Sequence, residues 1–256
     1  MKRFLYPLIS FSVFLAAWSG ALVLFEVPTY LVPSPTAVGN ALWLGLIKGQ
    51  LYPHIWATLS VTFIGYLLGC TIGLLIGALT AEVEFVDRLL RPYVIALQSI
   101  PKVALAPLMI VWFGYGMSSK IVMVALMCFF PVFVNTVAGM RSANPALIDL
   151  YRAVSASRLS IVMNVKLPTA ATSIFAGLEV AVVLALIGAI VGEFISSTRG
   201  LGNLIQSAST TLDVSMMFAA VAILALMGIL ASELLRRLHR RVVFWERPHG
   251  SSAAAG

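Results

Sequence analysis

Long apolar stretches separated by short polar segments dominate the pattern of the chain. A membrane-spanning helix needs about 20 mostly apolar residues, and charged side chains are almost absent from the stretches of this length. The pattern predicts an all-α membrane protein. The six predicted spans lie at about residues 7–25, 56–80, 89–112, 120–140, 170–195 and 214–235.

The distribution of basic residues predicts the orientation of these spans. If the N-terminus is inside, thirteen Lys and Arg residues lie in inside segments and three in outside segments. Cytoplasmic segments carry an excess of Lys and Arg, so we expect both termini in the cytoplasm. The inside set is Lys2, Arg3, Arg88, Arg91, Arg141, Arg152, Arg158, Lys166, Arg236, Arg237, Arg240, Arg241 and Arg247; the outside set is Lys48, Lys120 and Arg199.

The composition excludes a soluble globular protein. It also argues against nucleic-acid, metal and cofactor sites on this chain. Apolar residues make up 60% of the chain and charged residues 11%, against about 45–50% and 25% in soluble domains. The net charge of +7 is explained by the cytoplasmic basic residues, so no nucleic-acid partner is expected. Cys70 and Cys128 lie in apolar runs and are interpreted as small buried hydrophobic residues. We expect no metal site and no cofactor on this chain.

The segment between the first two spans is expected to lie outside the membrane. Ser34 can cap a short helix over about 35–48 with Pro35 in its first turn, and Trp43 and Leu46 predict that this helix lies at the membrane surface. The predicted organisation is a first helix with its external linker (1–55), a core of five spans (56–240) that includes a cytoplasmic loop (141–168), and a cytoplasmic tail (241–256).

Four glycines recur at every fourth position of the second span, at Gly65, Gly69, Gly73 and Gly77. Residues four apart share one face of a helix, and small residues there allow a neighbouring helix to approach closely. The spacing therefore predicts a helix-packing face, without identifying the partner helix.

The third span contains Pro101 and Pro107 within an apolar stretch. Proline removes an amide donor and kinks a helix, and broken backbone at membrane depth is tolerated beside a cavity. One hypothesis is a pathway-lining span that includes Gln98, Pro101 and Lys102. The other is an ordinary proline kink, with the Lys102 amine reaching the membrane surface.

Glu179 and Glu193 lie in the fifth span, fourteen residues apart and so on similar sides of one helix. An acid deep in the bilayer costs about 2.5–3.5 kcal/mol, so it normally faces the protein interior. Either residue could line a pathway or pair with a basic residue such as Lys102. We favour structural pairing for Glu179. For Glu193 the sequence does not decide between pairing and lining a pathway.

The segment from Arg141 to Pro168 separates the fourth and fifth spans and is predicted to form a cytoplasmic helix-turn-helix. Asn144 and Pro145 are typical of a helix start. An exposed apolar stripe on such a helix favours docking to a soluble partner. The stripe predicted from helical spacing is Leu147, Leu150, Val154 and Ile161, with Asp149, Arg152 and Arg158 on the polar side.

This loop resembles the EAA signature of permeases in binding-protein-dependent ABC importers, in which Glu-Ala-Ala is followed at fixed distances by Gly, Ile and Leu-Pro. Asp149 takes the position of the Glu, Leu150 and Tyr151 those of the alanines, Ser155 that of the Gly, Val165 that of the Ile, and Leu167 and Pro168 those of the Leu-Pro. Leu31–Thr36, the third span and the segment from Gly192 to Gly202 resemble the permeases for taurine, alkanesulfonates, nitrate and thiamine-precursor pyrimidines.

The resemblance implies a type I importer permease with a MetI-like fold, in the bacterial inner membrane. Two copies would form the pathway, a coupling helix at about 146–158 would dock on a cytoplasmic ATPase dimer, and a periplasmic or lipid-anchored protein would deliver the solute. The solute would be a small organic or anionic molecule such as a sulfonate, nitrate, a pyrimidine or a flavin. The implied coupling residues are Asp149, Leu150, Tyr151, Arg152, Ser155, Val165, Leu167 and Pro168.

None of the five lysines lies in the Gly-rich motif that cradles nucleotide phosphates, so ATP and Mg²⁺ are expected on the partner. A second hypothesis is an ion-coupled secondary transporter that uses Glu179 and Glu193. A third, an intramembrane enzyme, would need a catalytic pair at membrane depth, and His54 and His239 lie outside the predicted spans.

Overall fold

The computed structural model describes residues 2–245, in which every regular element is helical. Of the predicted tail 241–256, residues 246–256, including Arg247, lie outside the described residues. A 3₁₀ turn, Lys102–Leu105, precedes α5, and a π turn, Val162–Lys166, joins α8 to α9. The helices are α1 Lys2–Leu24, α2 Pro35–Ile47, α3 Leu51–Glu82, α4 Glu84–Ser99, α5 Ala106–Phe113, α6 Met117–Arg141, α7 Pro145–Ala153, α8 Arg158–Ile161, α9 Leu167–Ser196, α10 Leu201–Thr210 and α11 Val214–Val242.

Four of the predicted spans are helices long and apolar enough to cross a membrane. They are α3, α6, α11 and the continuous stretch Arg158–Ile195, which includes α8 and most of α9. The first predicted span falls on α1. Its apolar part, Ile9–Leu24, is shorter than the four helices above, so a membrane crossing by α1 stays a prediction. α3 begins five residues before the predicted position, and α11 continues seven residues further into its arginine-rich end.

The third predicted span, for which the prolines predict a kink, consists of two helices bent by 91°. Ile100 and Pro101 are both extended, with ψ angles of 128° and 101°. Pro101 offers no amide donor, and a residue before proline is pushed out of the helical region. α4 buries none of its residues, and α5 packs against α6. The chain therefore breaks between the two helices, at Ile100 and Pro101.

Helix α6 lies at the centre of the bundle, between α3 and α9. The four glycines of α3 face it: a Cβ added to Gly65 would lie 2.5 Å from the Val124 Cβ, and one on Gly73 would lie 2.7 Å from the Phe129 carbonyl oxygen. On the other side of α6, a Cβ on Gly177 would lie 2.8 Å from the Pro131 carbonyl oxygen. Because these positions have no side chain, the backbones of α3 and α9 can each pack directly against α6.

Two short helices lie at the end of the bundle where α3 begins. Ser34 caps α2 by accepting a hydrogen bond from the Ala37 amide at 3.2 Å, and Pro35 occupies the first turn, as predicted. α10 follows a glycine turn at Gly200, with φ of +130°, and packs on α9 and α11. Sequence analysis did not predict this helix.

Candidate energy-coupling loop and membrane pathway

The loop between α6 and α9 begins with the helix that the sequence predicts. Asn144 accepts a hydrogen bond from the Ala146 amide at 2.9 Å, and Pro145 is the first helical residue. The predicted coupling helix over 146–158 is too long, because α7 ends at Ala153. Ser157 then caps α8 by accepting from the Ser160 amide.

Helix α7 ends in a glycine-type cap, although the residue at the critical position is serine. Ser155 has a φ of +56°. The Ser155 amide donates to the Arg152 carbonyl at 2.9 Å, and the Ala156 amide donates to the Tyr151 carbonyl at 3.0 Å. This pair of bonds defines a Schellman cap, which usually has glycine in the left-handed position. The glycine of the EAA signature is therefore explained by backbone geometry at Ser155.

Exposed apolar side chains form the outer surface of the loop. Leu147, Leu150 and Val154 are exposed as the spacing predicts, with Val154 70% exposed. Ile161 does not belong to this surface, because it is buried; the turn after Ala153 changes the helical phase, so regular spacing no longer applies. Two further residues replace it. The exposed apolar surface of the loop, called the docking surface below for its predicted role, comprises Leu147, Leu150, Val154, Leu159 and Met163.

The predicted coupling residues divide into an exposed group and an anchoring group. Asp149 and Arg152 are exposed and form an ion pair of 3.2 Å within α7, while Tyr151 is half-buried. Val165 is buried within the π turn, so its side chain fixes the loop to the bundle and is not free to contact a partner. Leu167 and Pro168 are half-buried in the first turn of α9.

Ion pairs tie both ends of the loop to the corner between α3 and α4. At the first end, Arg141 lies 3.0 Å from the Asp87 carboxylate, and its guanidinium donates to the Thr80 carbonyl at 3.4 Å. At the second end, the Lys166 amine lies 2.5 Å from the Glu82 carboxylate. The Lys166 and Glu82 side chains are only 19% and 26% exposed, so bulk water screens this pair incompletely.

The residues predicted to line a pathway do not form one cluster. Gln98 and Pro101 are exposed near the break between α4 and α5. The Lys102 amine lies 4.8 Å from the centre of the Phe130 ring, in a cation–π contact. Lys102 therefore pairs with an aromatic ring of α6, and neither glutamate of the fifth span is its partner.

Glu179 has a different environment from the one expected. Structural pairing was favoured for it, but within residues 2–245 no hydrogen bond or ion pair involves its carboxylate. The side chain is partly exposed, and Ala176 and Val183, one turn away on either side, are exposed. An acid at membrane depth is costly beside lipid, so this face of α9 needs water or a protein partner.

Glu193, by contrast, is buried in a closed polar network at the other end of α9. Its carboxylate accepts from the Thr58 hydroxyl and from the Gly202 amide, both at 2.8 Å. The Thr58 oxygen accepts in turn from the Leu201 amide at 2.8 Å. Glu193 is 1% exposed. The carboxylate thus binds the first turn of α10, which is a favourable site for negative charge, and has no open face toward a pathway.

Two more residues complete this network. The His54 ring nitrogen Nδ1 lies 2.8 Å from the Gly200 carbonyl oxygen, and the Lys120 amine donates to the Ser197 hydroxyl at 3.0 Å. A Cβ on Gly200 would overlap the Glu193 carboxylate. The network therefore joins α3, α6, α9 and α10 at one end of the bundle and requires glycine at position 200.

Comparison with known proteins identifies the family. A family model described as the binding-protein-dependent transport system inner membrane component matches residues 69–244. The chain belongs to this family. The permease is therefore a multi-pass inner-membrane component of an ABC transporter, a class that works with an ATPase and a substrate-binding partner and is generally not itself an enzyme.

Several curated relatives are similar to this permease over most of their length. The riboflavin transport system permease protein RibX of Chloroflexus aurantiacus is 36% identical, over 96% of this chain and 93% of the relative. The formylaminopyrimidine transport permease protein ThiX of Halalkalibacterium halodurans is 33% identical, over 95% and 96%. The taurine transport system permease protein TauC of Escherichia coli is 29% identical, over 89% and 84%.

A solved structure shares the fold of the permease. An inward-facing conformation of the MetNI methionine ABC transporter matches with a TM-score of 0.66 at 22% identity, over 75% of this chain and 95% of that one. The MetI-like fold expected from the sequence is confirmed. Family membership also favours an importer component over the ion-coupled transporter and the intramembrane enzyme.

Sequence reasoning missed the partners that hold the loop and α10 in place. Thr58 and Glu193 are 135 residues apart, and Glu82 and Lys166 are 84 apart. No local pattern reports such pairs. The available signal was the presence of Glu82, Asp87 and Lys166 at the ends of predicted spans, where a charge next to apolar surface needs a partner.

Proposed function

We propose that two copies of the permease form a solute pathway whose movements are driven by a cytoplasmic ATPase docked on the loop between α6 and α9. ATP and Mg²⁺ are bound by the ATPase, and this chain carries no cofactor of its own. A binding protein on the outside delivers the solute. The exposed docking surface at the loop is the observation that carries this proposal.

The docking surface supports the proposal because its apolar side chains project from a segment that is otherwise polar and charged. Leu150 is 58% exposed, and Leu159 is 70% exposed. Apolar side chains on a short helix are suited to a groove on a partner protein. Arg152, 69% exposed beside Asp149, adds a charged rim that can set the orientation of docking.

Both termini lie in the cytoplasm in this proposal. The basic residues at the end of α11, which include Arg236, Arg240 and Arg241, are then at the same side as the docking loop, as the positive-inside rule requires. The ends of α3 and α6 that contact the loop carry Glu82 and Arg141, which places the loop ends and their ion pairs at that surface.

The solute is a small organic molecule, and Glu179 favours a neutral heterocycle over an anion. Relatives are named for riboflavin and formylaminopyrimidine, but others are named for aliphatic sulfonates and taurine. A carboxylate without a partner on the exposed face of α9 repels a sulfonate and can accept hydrogen bonds from ring N–H groups. Uptake of labelled riboflavin, with taurine as the competing probe, tests this preference.

Disruption of the docking surface tests the main proposal. A tagged permease is isolated with the ATPase that co-purifies with it, and Leu150→Glu is compared with wild type. We expect at least a tenfold loss of bound ATPase, since a charge replaces an apolar contact at the centre of the interface. The matched control is Leu212→Glu, which makes the same change at a residue 72% exposed at the opposite end of the bundle.

The outcomes separate docking from folding. Loss of the ATPase in Leu150→Glu, with normal retention in Leu212→Glu and equal membrane yield of both, supports docking at the loop. Equal ATPase retention in wild type and Leu150→Glu would contradict it. An equal loss in both variants would also contradict it, because the effect would then not be specific to the loop.

A further inference from the structure

An apolar groove opens on the side of the bundle where α3, α9 and α11 meet, away from α5. Its volume is about 290 Å³. Leu59 and Phe63 of α3, Leu186 of α9 and Leu234 and Leu238 of α11 are among the residues that line it. The groove has almost no polar lining, so a hydrophilic solute gains no hydrogen bonds there.

The helix that forms one wall of the groove continues directly into a cationic segment. Leu234, Leu238 and Arg241 are spaced at i, i+4 and i+7 on α11 and therefore share one face. Arg241 is exposed and lies one turn beyond Leu238. Trp245, three residues beyond the end of α11, is exposed, and tryptophan is typical of a membrane surface.

Arg241 differs from the other arginines of this segment in its pairing. Glu233 forms ion pairs with Arg236 at 3.0 Å, Arg237 at 3.0 Å and Arg240 at 3.5 Å. In the part of the chain that the structure describes, Arg241 has no ion pair. One carboxylate thus pairs with three guanidinium groups, while that of Arg241, on the helical face of Leu234 and Leu238, has no ion-pair partner within residues 2–245.

We infer that the groove and Arg241 together bind an anionic phospholipid of the adjacent leaflet, with one acyl chain in the groove and the phosphate at Arg241. The occupant must be apolar over the length of the groove and negatively charged at one end, which is the chemistry of such a lipid. Basic residues at a membrane surface attract anionic lipids, and Arg binds phosphate with two parallel hydrogen bonds.

Lipid retention by the purified permease tests this inference independently of the transported solute. The protein is stripped of lipid in detergent and titrated with phosphatidylglycerol or phosphatidylcholine, and bound lipid is counted by native mass spectrometry. We expect wild type to retain phosphatidylglycerol preferentially. Arg241→Ala should weaken this binding about fivefold, the effect of one basic residue at an anionic surface, and Arg241→Lys should largely preserve it.

A second variant tests the groove without changing charge. Ala231 lines the groove between Met227 and Leu235, so Ala231→Phe fills it and should reduce retention of phosphatidylglycerol. The control is Arg88→Ala, which removes a 76% exposed arginine from α4 and should change nothing. Equal retention of both lipids by wild type, or unchanged binding in Arg241→Ala and Ala231→Phe, would overturn the inference. A change of oligomeric state in Ala231→Phe would overturn it as well, because a second copy of the chain would then cover the groove.

Discussion

Within the contact between α3 and α6, Gly69 is the position where one added methyl group should be most damaging. A Cβ built there would lie 2.8 Å from the Ala125 Cα and 2.9 Å from its carbonyl carbon, with the carbonyl oxygen closer still. Ordinary contact begins at 3.4 Å, so the helices must separate by at least 0.6 Å (3.4 − 2.8 Å). The added Cβ is fixed to the backbone of α3, and the atoms it meets are backbone atoms of α6, so no change of side-chain rotamer can relieve the overlap.

The cost of Gly69→Ala follows from this separation. A gap of about 0.5–1 Å forfeits a quarter to a half of each dispersion contact along the interface, and overpacking costs about 1–3 kcal/mol. Alanine recovers up to about 1 kcal/mol through its higher helix propensity. With rigid backbone as the obstacle, we expect a net loss of about 1–2 kcal/mol, or a decrease in Tm of about 2–8 °C. Thermal unfolding of the purified permease in detergent measures this change.

Two other glycines provide a graded comparison. A Cβ on Gly39 in α2 would meet nothing within 4 Å, so Gly39→Ala should raise Tm slightly. A Cβ on Gly228 in α11 would meet only the tip of the Leu186 side chain, at 3.1 Å, so Gly228→Ala should have an intermediate effect. If Gly69→Ala and Gly39→Ala unfold at the same temperature, α3 and α6 are not in backbone contact and the steric reasoning fails.

Three further experiments test the polar contacts of the permease. Glu193→Ala should lower Tm strongly, because it leaves the buried Thr58 hydroxyl and a helix amide unsatisfied at about 1–3 kcal/mol each; an unchanged Tm would contradict the network. Glu82→Lys and Lys166→Glu should each reduce ATPase activity of the assembled complex, and the double variant should restore it in a double-mutant cycle, whereas additive losses would exclude direct pairing. Ser155→Gly should raise Tm by relieving about 1 kcal/mol of left-handed strain while ATPase binding is unchanged, and a decrease in Tm would contradict the observed cap.

Local signals in the sequence were sufficient for the long helices and for the starts of α2 and α7. Uninterrupted apolar runs determine the long helices, since a membrane span must satisfy its backbone internally. Ser34 and Asn144 predict helix starts because each precedes a proline and can accept from an amide two or three residues later. The glycine spacing in α3 identifies a packing face, since helical phase is a property of one segment alone.

Contacts between distant segments could not be predicted in the same way. Glu193 is an apolar-span glutamate like Glu179, yet one is buried with two hydrogen-bond donors and the other has no partner in residues 2–245. The difference depends on where Thr58 and α10 lie, which no pattern around either glutamate encodes. Regular helical spacing predicts Ile161 on the exposed stripe, but the turn at Ser155 changes the helical phase and Ile161 is buried. Serine is a weaker signal of such a turn than glycine.

The ion pairs at the ends of the loop suggest how a force applied to the docking surface reaches the membrane pathway. α4 buries no residue, and the Asp87–Arg141 ion pair links its first turn to the end of α6. At its other end, α4 meets the break at Ile100 and Pro101, where helical hydrogen bonds do not resist bending. A helix held by an ion pair at one end and by extended backbone at the other can swing as a rigid body about the break. Displacement of Arg141 with the loop would therefore move α4 relative to α5, directly beside Lys102 and its contact with α6.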